Sequence, residues 1–428
     1  MRIRPAVVST GMTTTHRIDK DSGARVRRRL RPLYVAAWLL GINFWVPVEK
    51  LFLSQIGFTA ATVGLLAATY AAVVPFLEIP SGILADRWSR RGVLILADLA
   101  LAGSSLVGGL SRSVSTYLAS ALLLGVYFAL QSGTVDSIVY DVLVEETGRS
   151  DGFERQLGRL RLWEGIALVS SAVAGSELAS LTSARFTYFL TVPFAVLSIG
   201  ALSRFNEPHL HRADDPMPLR GQIATTYRTI IKPGQLRYII ITTVLCALLL
   251  QMLLEFGPLW LVALAAPAFL YGPQWAGLMS AVGLGGILAG PAIRRPAIVM
   301  GTVIAVMLGS ALALTTADDP VVVITAQVLL ALLLVAVSTV LNRQLHDEIP
   351  SALRAGVSSG VGTLTWIGFL PLAIAFGLLS KHSGIHTAAW LLVATTAATC
   401  ASLLQQAAAR HTATAAHPAQ PLLSPAPC

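Results

Sequence analysis

Gly82-Ile-Leu-Ala-Asp-Arg-Trp-Ser-Arg-Arg-Gly-Val-Leu94 is a short knot of charge set between two long apolar runs. Leu65 to Ile83 is almost wholly apolar, and Val93 to Leu110 nearly so. At about 1.5 Å of rise per residue, each is long enough to cross a hydrocarbon core of about 30 Å as a helix. The chain therefore crosses, turns and crosses back, and the turn gathers Asp86, Arg87, Arg90 and Arg91 at one membrane face. Gly82 has no side chain, so a neighbouring helix can approach closely there.

Composition extends this reading to the whole chain. With 54% hydrophobic and 12% charged residues and a mean hydropathy of +0.68, 428 residues carry too little polar surface to cover a soluble globule. The net charge of +9 does not point to nucleic acid, because the bases sit in short loops between apolar runs, where they orient helices in the membrane. Cys246, Cys400 and Cys428 lie far apart and form neither a metal-ligand nor a redox spacing. The eight histidines fall mainly in tails and loops. No metal, cofactor or catalytic residue is expected, and no phosphate-binding loop marks a primary pump.

Apolar spans fall near 33–54, 60–83, 93–111, 116–139, 161–181 and 185–204, and then near 237–260, 273–290, 297–316, 320–341, 355–380 and 385–406. The expected fold is an all-α membrane protein of twelve transmembrane helices in two six-helix bundles, 32–205 and 236–406. Residues 1–31 read as a disordered basic cytoplasmic arm, 206–235 as a cytoplasmic linker, and 407–428 as a disordered tail. The basic start precedes the first apolar segment by some thirty residues, so that segment is expected to stay as an anchor. With the N-terminus in the cytoplasm, 27 of the 31 Lys and Arg fall inside, leaving only Lys50, Arg112, Arg185 and Lys381 outside. Both termini are therefore expected in the cytoplasm. Gly286-Ile-Leu-Ala followed by Arg294-Arg295 repeats Gly82-Ile-Leu-Ala followed by Arg90-Arg91 at the same spacing, as two related halves would. Gly290 stands in the copy where Asp86 stands in the original.

The charged turn resembles the signature between the second and third helices of the major facilitator superfamily, Gly-x-Leu-Ala-Asp-Arg-x-Gly-Arg-Arg-x-x-Leu. Gly82, Leu84, Ala85, Asp86, Arg87, Arg90, Arg91 and Leu94 match it, and Ser89 replaces the usual Gly. The run from Gln131 to Asp141 and the pairs Leu341-Asn342, Ile349-Pro350 and Arg354-Ala355 resemble further patterns of one broad branch of the family. The resemblance implies a conformational latch at the turn, with an acid at the end of the fourth helix as partner of the motif arginine. On this chain that set is Gly82, Asp86, Arg87, Arg90, Arg91 and Asp141, with Glu164 in the same cytoplasmic network. A static ion pair is the competing role for each.

A charged side chain within hydrocarbon costs at least about 2.5–3.5 kcal/mol, so each needs a partner, a wet cavity or a proton. Glu49, Glu78, Asp98, Asp136, Asp141, Glu164 and Glu177 lie in or at the ends of the first six helices, and Glu255 in the second six. Glu49 and Glu255 each fall in the outer part of the first helix of their half, with Trp45 and Gln251 four residues earlier, on the same face of a continuous helix. If those faces line a cavity, either carboxylate can load and release a proton near neutral pH. Glu49 has an alternative role as partner of adjacent Lys50; no Lys or Arg is close to Glu255 in sequence. Asp136 is the third coupling candidate. Asn43, Trp45, Tyr127, Gln131, Gln251, Gln327 and Trp366 are candidate cavity residues for an aromatic or amphipathic solute, although packing or interfacial anchoring explains any single one as well.

These features, with the resemblance, imply a monomeric secondary transporter of the cell membrane, moving a small-molecule substrate by alternating access and coupled to protons. Efflux of a drug-like or metabolite molecule is expected, with import of a sugar, organic acid or other nutrient as the alternative. A membrane enzyme would need convergent catalytic groups, and a membrane sensor would need a folded soluble module; neither is visible.

Overall fold

The computed structural model describes residues 11–131, 134–148, 152–208, 235–292, 296–348 and 354–416. Within these, side chains are not described at 11–22, 75, 78–80, 82–83, 86–87, 154, 235, 286–299, 346–347, 354–359 and 409–416. The described residues are all-helical apart from turns, with no strand among them.

The helices are α1 (Gly11–Gly41), α2 (Glu49–Gln55), α3 (Ala60–Arg87), α4 (Arg90–Leu110), α5 (Val114–Gln131), α6 (Thr134–Thr147), α7 (Phe153–Leu181) and α8 (Ala184–Ser203). After the linker come α9 (Gln235–Phe256), α10 (Pro258–Ala263), a 3-10 turn (Ala268–Leu270), α11 (Tyr271–Ala292), α12 (Pro296–Ala313), α13 (Pro320–Glu348), α14 (Arg354–Ser383) and α15 (Ile385–Ala416). Among the described residues, 7 helical stretches are long and apolar enough to cross a membrane, and Ala60–Val74 and Met300–Ala313 are shorter apolar helices.

Two compact units result: Met1–Gly57, Thr69–Asp214 and Tyr271–Ala276 form the first, and Phe58–Ala68, Asp215–Leu270 and Gly277–Cys428 the second. The simple split expected between the halves therefore differs at 58–68 and 271–276. In the first unit α4 packs on α5 and α8, and α1 on α7 and α8. In the second, α9 packs on α13, α14 and α15. Between membrane helices close backbone approach replaces hydrophobic expulsion from water as the driving force. A Cβ on Gly41 would lie 2.5 Å from the carbonyl oxygen of Glu164, so any larger residue would push α1 off α7.

Three expectations need correction. The first apolar span is not one helix: α1 stops at Gly41 and α2 starts at Glu49. Pro47 offers no N–H to an unbroken helix, and the exposed backbone groups find other partners. Asn43 Nδ2 donates to the Leu40 carbonyl (2.6 Å), the Asn43 N–H donates to Ser171 Oγ (3.2 Å), and the Phe44 N–H donates to Thr191 Oγ1 (3.2 Å). Second, the arm expected to be disordered to Arg31 is helical from Gly11. Its arginines are good helix formers and are held by acids of α6. Third, α15 continues to Ala416 rather than ending near 406. The Ala-rich run there has the highest helix propensity of any composition. The other candidate boundary, the linker, lies mostly outside the described residues, at 209–234.

Candidate functional site: the charged turn and the polar interior of the first unit

The charged turn is assembled from four separate parts of the first unit. Ser89 adopts extended backbone geometry as the N-cap of α4, and its Oγ accepts the Gly92 N–H (2.9 Å). The same hydroxyl donates to Glu207 Oε2 (2.6 Å), and Glu207 Oε1 accepts the backbone N–H of Arg90 (2.5 Å) and of Arg91 (3.4 Å). A carboxylate from beyond α8 thus satisfies the open donors of α4 and faces the positive end of its dipole. The Arg90 guanidinium ion-pairs Asp141 of α6, and Arg91 Nη1 donates to the Phe205 carbonyl (3.1 Å). Gly82, Asp86 and Arg87 belong to the helical backbone of α3, but their side chains lie outside the described residues, as does that of Glu78.

The basic arm docks onto the same end. Arg29 Nη1 meets Glu145 (3.0 Å) and Glu146 (2.9 Å), Arg25 meets Glu146 (3.4 Å), and Arg29 also donates to the carbonyls of Asn206 and Glu207. Burial alone would lower the pKa of Arg29, but the bonds and charges of Glu145 and Glu146 outweigh it and raise it, so the guanidinium stays charged.

Glu164 belongs with a second group, deeper in the unit. Arg161 reaches Glu164 (3.1 Å) on its own helix and Asp136 (3.4 Å) on α6. Asp136 and Arg161 are half-exposed. Next to them a cavity of about 20 Å³, room for roughly one water, is lined by Asp98, Gln131, Arg161 and Glu164 among apolar side chains. Asp98 of α4 is 1% exposed, and its Oδ2 is buried with no hydrogen-bond partner. Tyr127 is buried, hydrogen-bonds Gln131, and feels the charges of Glu164, Asp98 and Arg161. Two acids, one base and an amide from three helices thus line a small void, and Asp136 is tied to it through Arg161.

Glu49 and Trp45 are elsewhere. Because the helix breaks between them, they do not share a helix face, which corrects the expectation based on their spacing. Glu49 Oε2 is 2.7 Å from Lys50 Nζ, and Glu49 Oε1 accepts from the Tyr117 hydroxyl (2.9 Å), which contacts the Tyr188 hydroxyl (2.8 Å). Trp45 stacks on Tyr188 with centroids 5.0 Å apart. Lys50 is 4% exposed. This is a packed ionic and aromatic knot rather than a cavity wall. Asn43 serves the helix break described above.

In the second unit, Gln251 and Glu255 both lie on the unbroken α9, with Glu255 buried. Gln327 is fully buried and its Nε2 donates to the Gly257 carbonyl (3.1 Å), closing the break between α9 and α10. Trp366 packs edge-on to Phe369. Gln327 and Asn43 therefore do comparable work, each satisfying backbone where the first helix of its half is interrupted.

In the sequence Asp98 is one acid among those of the first six helices, with no site role, and Glu207 falls within the 206–235 linker. The signal for Asp98 was present: a lone acid in an apolar run must be accommodated. Nothing in the spacing of Glu207 linked it to Ser89, since their contact spans 118 positions.

The Major Facilitator Superfamily family model matches residues 33–370, and the chain belongs to this family. With 7 helical stretches long and apolar enough to cross a membrane among the described residues, it has the spans of a multi-pass membrane protein. Among curated proteins it is 23% identical over 205 residues to multidrug resistance protein 1 of Bacillus subtilis (strain 168), covering 48% of this chain and 50% of that one. It is 30% identical over 125 residues to multidrug resistance protein 2 of the same organism, covering 29% of this chain and 31% of the relative. The chain thus spans about half or less of the curated relatives that it matches. Among solved structures it resembles a mutant form of the nucleoside transporter NupG at a TM-score of 0.73 and 14% identity, covering 89% of this chain and 99% of that one. A bacterial homolog of the human lysosomal transporter Spinster, in an inward-facing and unoccupied conformation, gives 0.67 and 15%, covering 92% and 97%. At these identities the solved structures speak for the fold alone.

Proposed function

We propose that this chain exports a small drug-like or metabolite molecule by alternating access, in exchange for protons. The observation that carries the reading is Asp98: a fully buried acid with an unpartnered oxygen, beside a cavity shared with Gln131, Arg161 and Glu164. A group of this kind is expensive in a membrane helix and marks a proton or substrate path by default. Tyr127 and Gln131 supply the aromatic and amide surface that a drug-like solute needs, and Gln251 and Trp366 are proposed for the second unit. Glu255, buried on α9, is the second proton candidate. Asp136, half-exposed and paired with Arg161, and Glu49, held by Lys50 and Tyr117, follow it.

Similarity to two multidrug resistance proteins supports efflux over uptake. The turn, with Arg90 on Asp141, is proposed as the latch whose release accompanies the change of access. The charge split supports a cell-membrane protein with both termini in the cytoplasm, and it is proposed to act as a monomer.

The test is flux in proteoliposomes loaded with a panel of aromatic drug-like fluorophores, with and without an imposed pH gradient. Proton-coupled export predicts that at least one fluorophore moves against the proton flow and stops when the gradient is collapsed. Gradient-independent flux would remove the coupling, and movement with the protons would reverse the direction.

A further inference from the structure

The charged end of the first unit holds a second cavity, of about 640 Å³, which borders the turn at Arg91 and Glu207 and has no part assigned in transport. Five arginines line it, Arg25, Arg28, Arg29, Arg91 and Arg204, against two carboxylates, Glu146 and Glu207. Both carboxylates are already committed. Glu146 takes Arg25 and Arg29, and Glu207 takes Ser89 and the backbone at the start of α4. Arg28 and Arg204, by contrast, are exposed and make no ion pair among the described residues. The cavity is therefore a positively charged bowl with guanidinium forks to spare, the group that recognises phosphate best.

Its position on the helix identifies the source of that phosphate. Arg28, Arg31, Val35 and Trp38 form one exposed stripe along α1, at the i, i+3 and i+7 spacing of a single helix face. The stripe changes from basic to apolar within about one turn, as a helix does where it passes from headgroups into acyl chains. Val35 and Trp38 remain 43% and 39% exposed, so an apolar track runs from the rim of the bowl along the helix. A free anion would use only the bowl; a phospholipid uses both.

We propose that this cavity binds the phosphate-bearing headgroup of an anionic phospholipid, with its acyl chains lying along the Val35 and Trp38 face of α1. The site is built wholly from the first unit. It stands whether or not the export reading does, because the test below measures binding and not flux.

Purified full-length protein in neutral detergent is titrated with phosphatidylglycerol, with phosphatidylcholine and with inorganic phosphate, following thermal unfolding and lipid adducts by native mass spectrometry. Phosphatidylglycerol is expected to bind and stabilise, and the other two are not. Arg28→Gln with Arg204→Gln is expected to weaken phosphatidylglycerol binding about thirtyfold, at about fivefold per arginine. The Arg28→Lys, Arg204→Lys pair should recover much of the loss, which separates charge from folding. Equal binding by wild type and the glutamine pair would overturn the site. Stabilisation by inorganic phosphate with the same arginine dependence would overturn the lipid as its ligand.

Discussion

Arg90, in the first turn of α4, and Asp141, midway along α6, form an ion pair whose side chains are only 13% and 16% exposed. Little solvent screens such a pair, and each partner leaves a costly charge behind if the other is removed. A static role makes Asp141→Asn a loss of stability alone, whereas a latch also changes the balance of conformations. A charge-assisted bond is worth about 1.5–3 kcal/mol, enough to shift a two-state equilibrium tenfold or more. We expect Asp141→Asn to cut flux at least tenfold at near-normal membrane abundance, and Asp86→Asn to do the same. Wild-type flux in both variants, measured in the same vesicles, would leave the pair a purely structural one.

Ser89 occupies the position that is usually Gly in the family signature, and here it caps α4 while holding Glu207. Removing a hydroxyl cap costs about 1 kcal/mol, while Gly at the same position costs only a few tenths. Ser89→Ala should therefore lower thermal stability more than Ser89→Gly. The reverse order in a detergent melting assay would show that the cap at this position does not set the stability of α4.

Lys50 and Glu49 are both withdrawn from water, at 4% and 16% side-chain exposure, and Tyr117 completes the knot. Breaking a buried pair from one side costs about 3–5 kcal/mol, whereas replacing both partners together is nearly neutral. Lys50→Met should reduce folded yield severely, and adding Glu49→Gln should restore it. If the double variant folds well but loses its pH response, Glu49 carries a proton after all.

The architecture was legible because its causes are one-dimensional. Span length, the charges of the turn from Asp86 to Arg91 and the repeat at Gly286 all follow from local sequence. What was not legible depends on contacts between distant residues. The break after Gly41 is stabilised by Ser171 and Thr191, hydroxyls from α7 and α8 that no local pattern connects to Asn43 and Phe44. The arm reads as disordered from its own charge, because Glu145 and Glu146, which pair with Arg29, lie more than a hundred residues away in sequence. Glu164 looked like part of the turn because helix position alone does not say which neighbour an acid meets; it meets Arg161.

Orientation rests on the distribution of bases, 27 of 31 on one side. In a chain carrying Cys428→Ser, single cysteines at Ser150→Cys and Gln222→Cys should resist an impermeant thiol reagent in intact cells and react after permeabilisation. Asp318→Cys, before α13, should react at once. Cys246 and Cys400 are buried and add little background. Labelling of the first two at the rate of the third would invert the topology.

Asp98 and Glu255 divide the remaining question of where the coupling proton sits. Each is buried, Asp98 at 1% and Glu255 at 8% exposure, one in each unit. Asp98 shares its cavity with Gln131, Arg161 and Glu164, and Tyr127 lies within reach of the same charges. A proton released from Asp98 therefore has a water-sized site beside it, lined by one base, Arg161, and one further acid, Glu164. Asn or Gln keeps the shape of the neutral acid and cannot ionise, so each substitution freezes one candidate in its protonated form. We expect Asp98→Asn to abolish flux driven by a pH gradient while leaving substrate binding, read by thermal stabilisation, within about threefold of wild type. Glu255→Gln should do the same if both units load a proton, and should leave the pH profile unchanged if Asp98 carries it alone. A wild-type pH profile in Asp98→Asn would move the coupling site out of the first unit's cavity, and loss of binding in that variant would make the carboxyl a substrate contact instead.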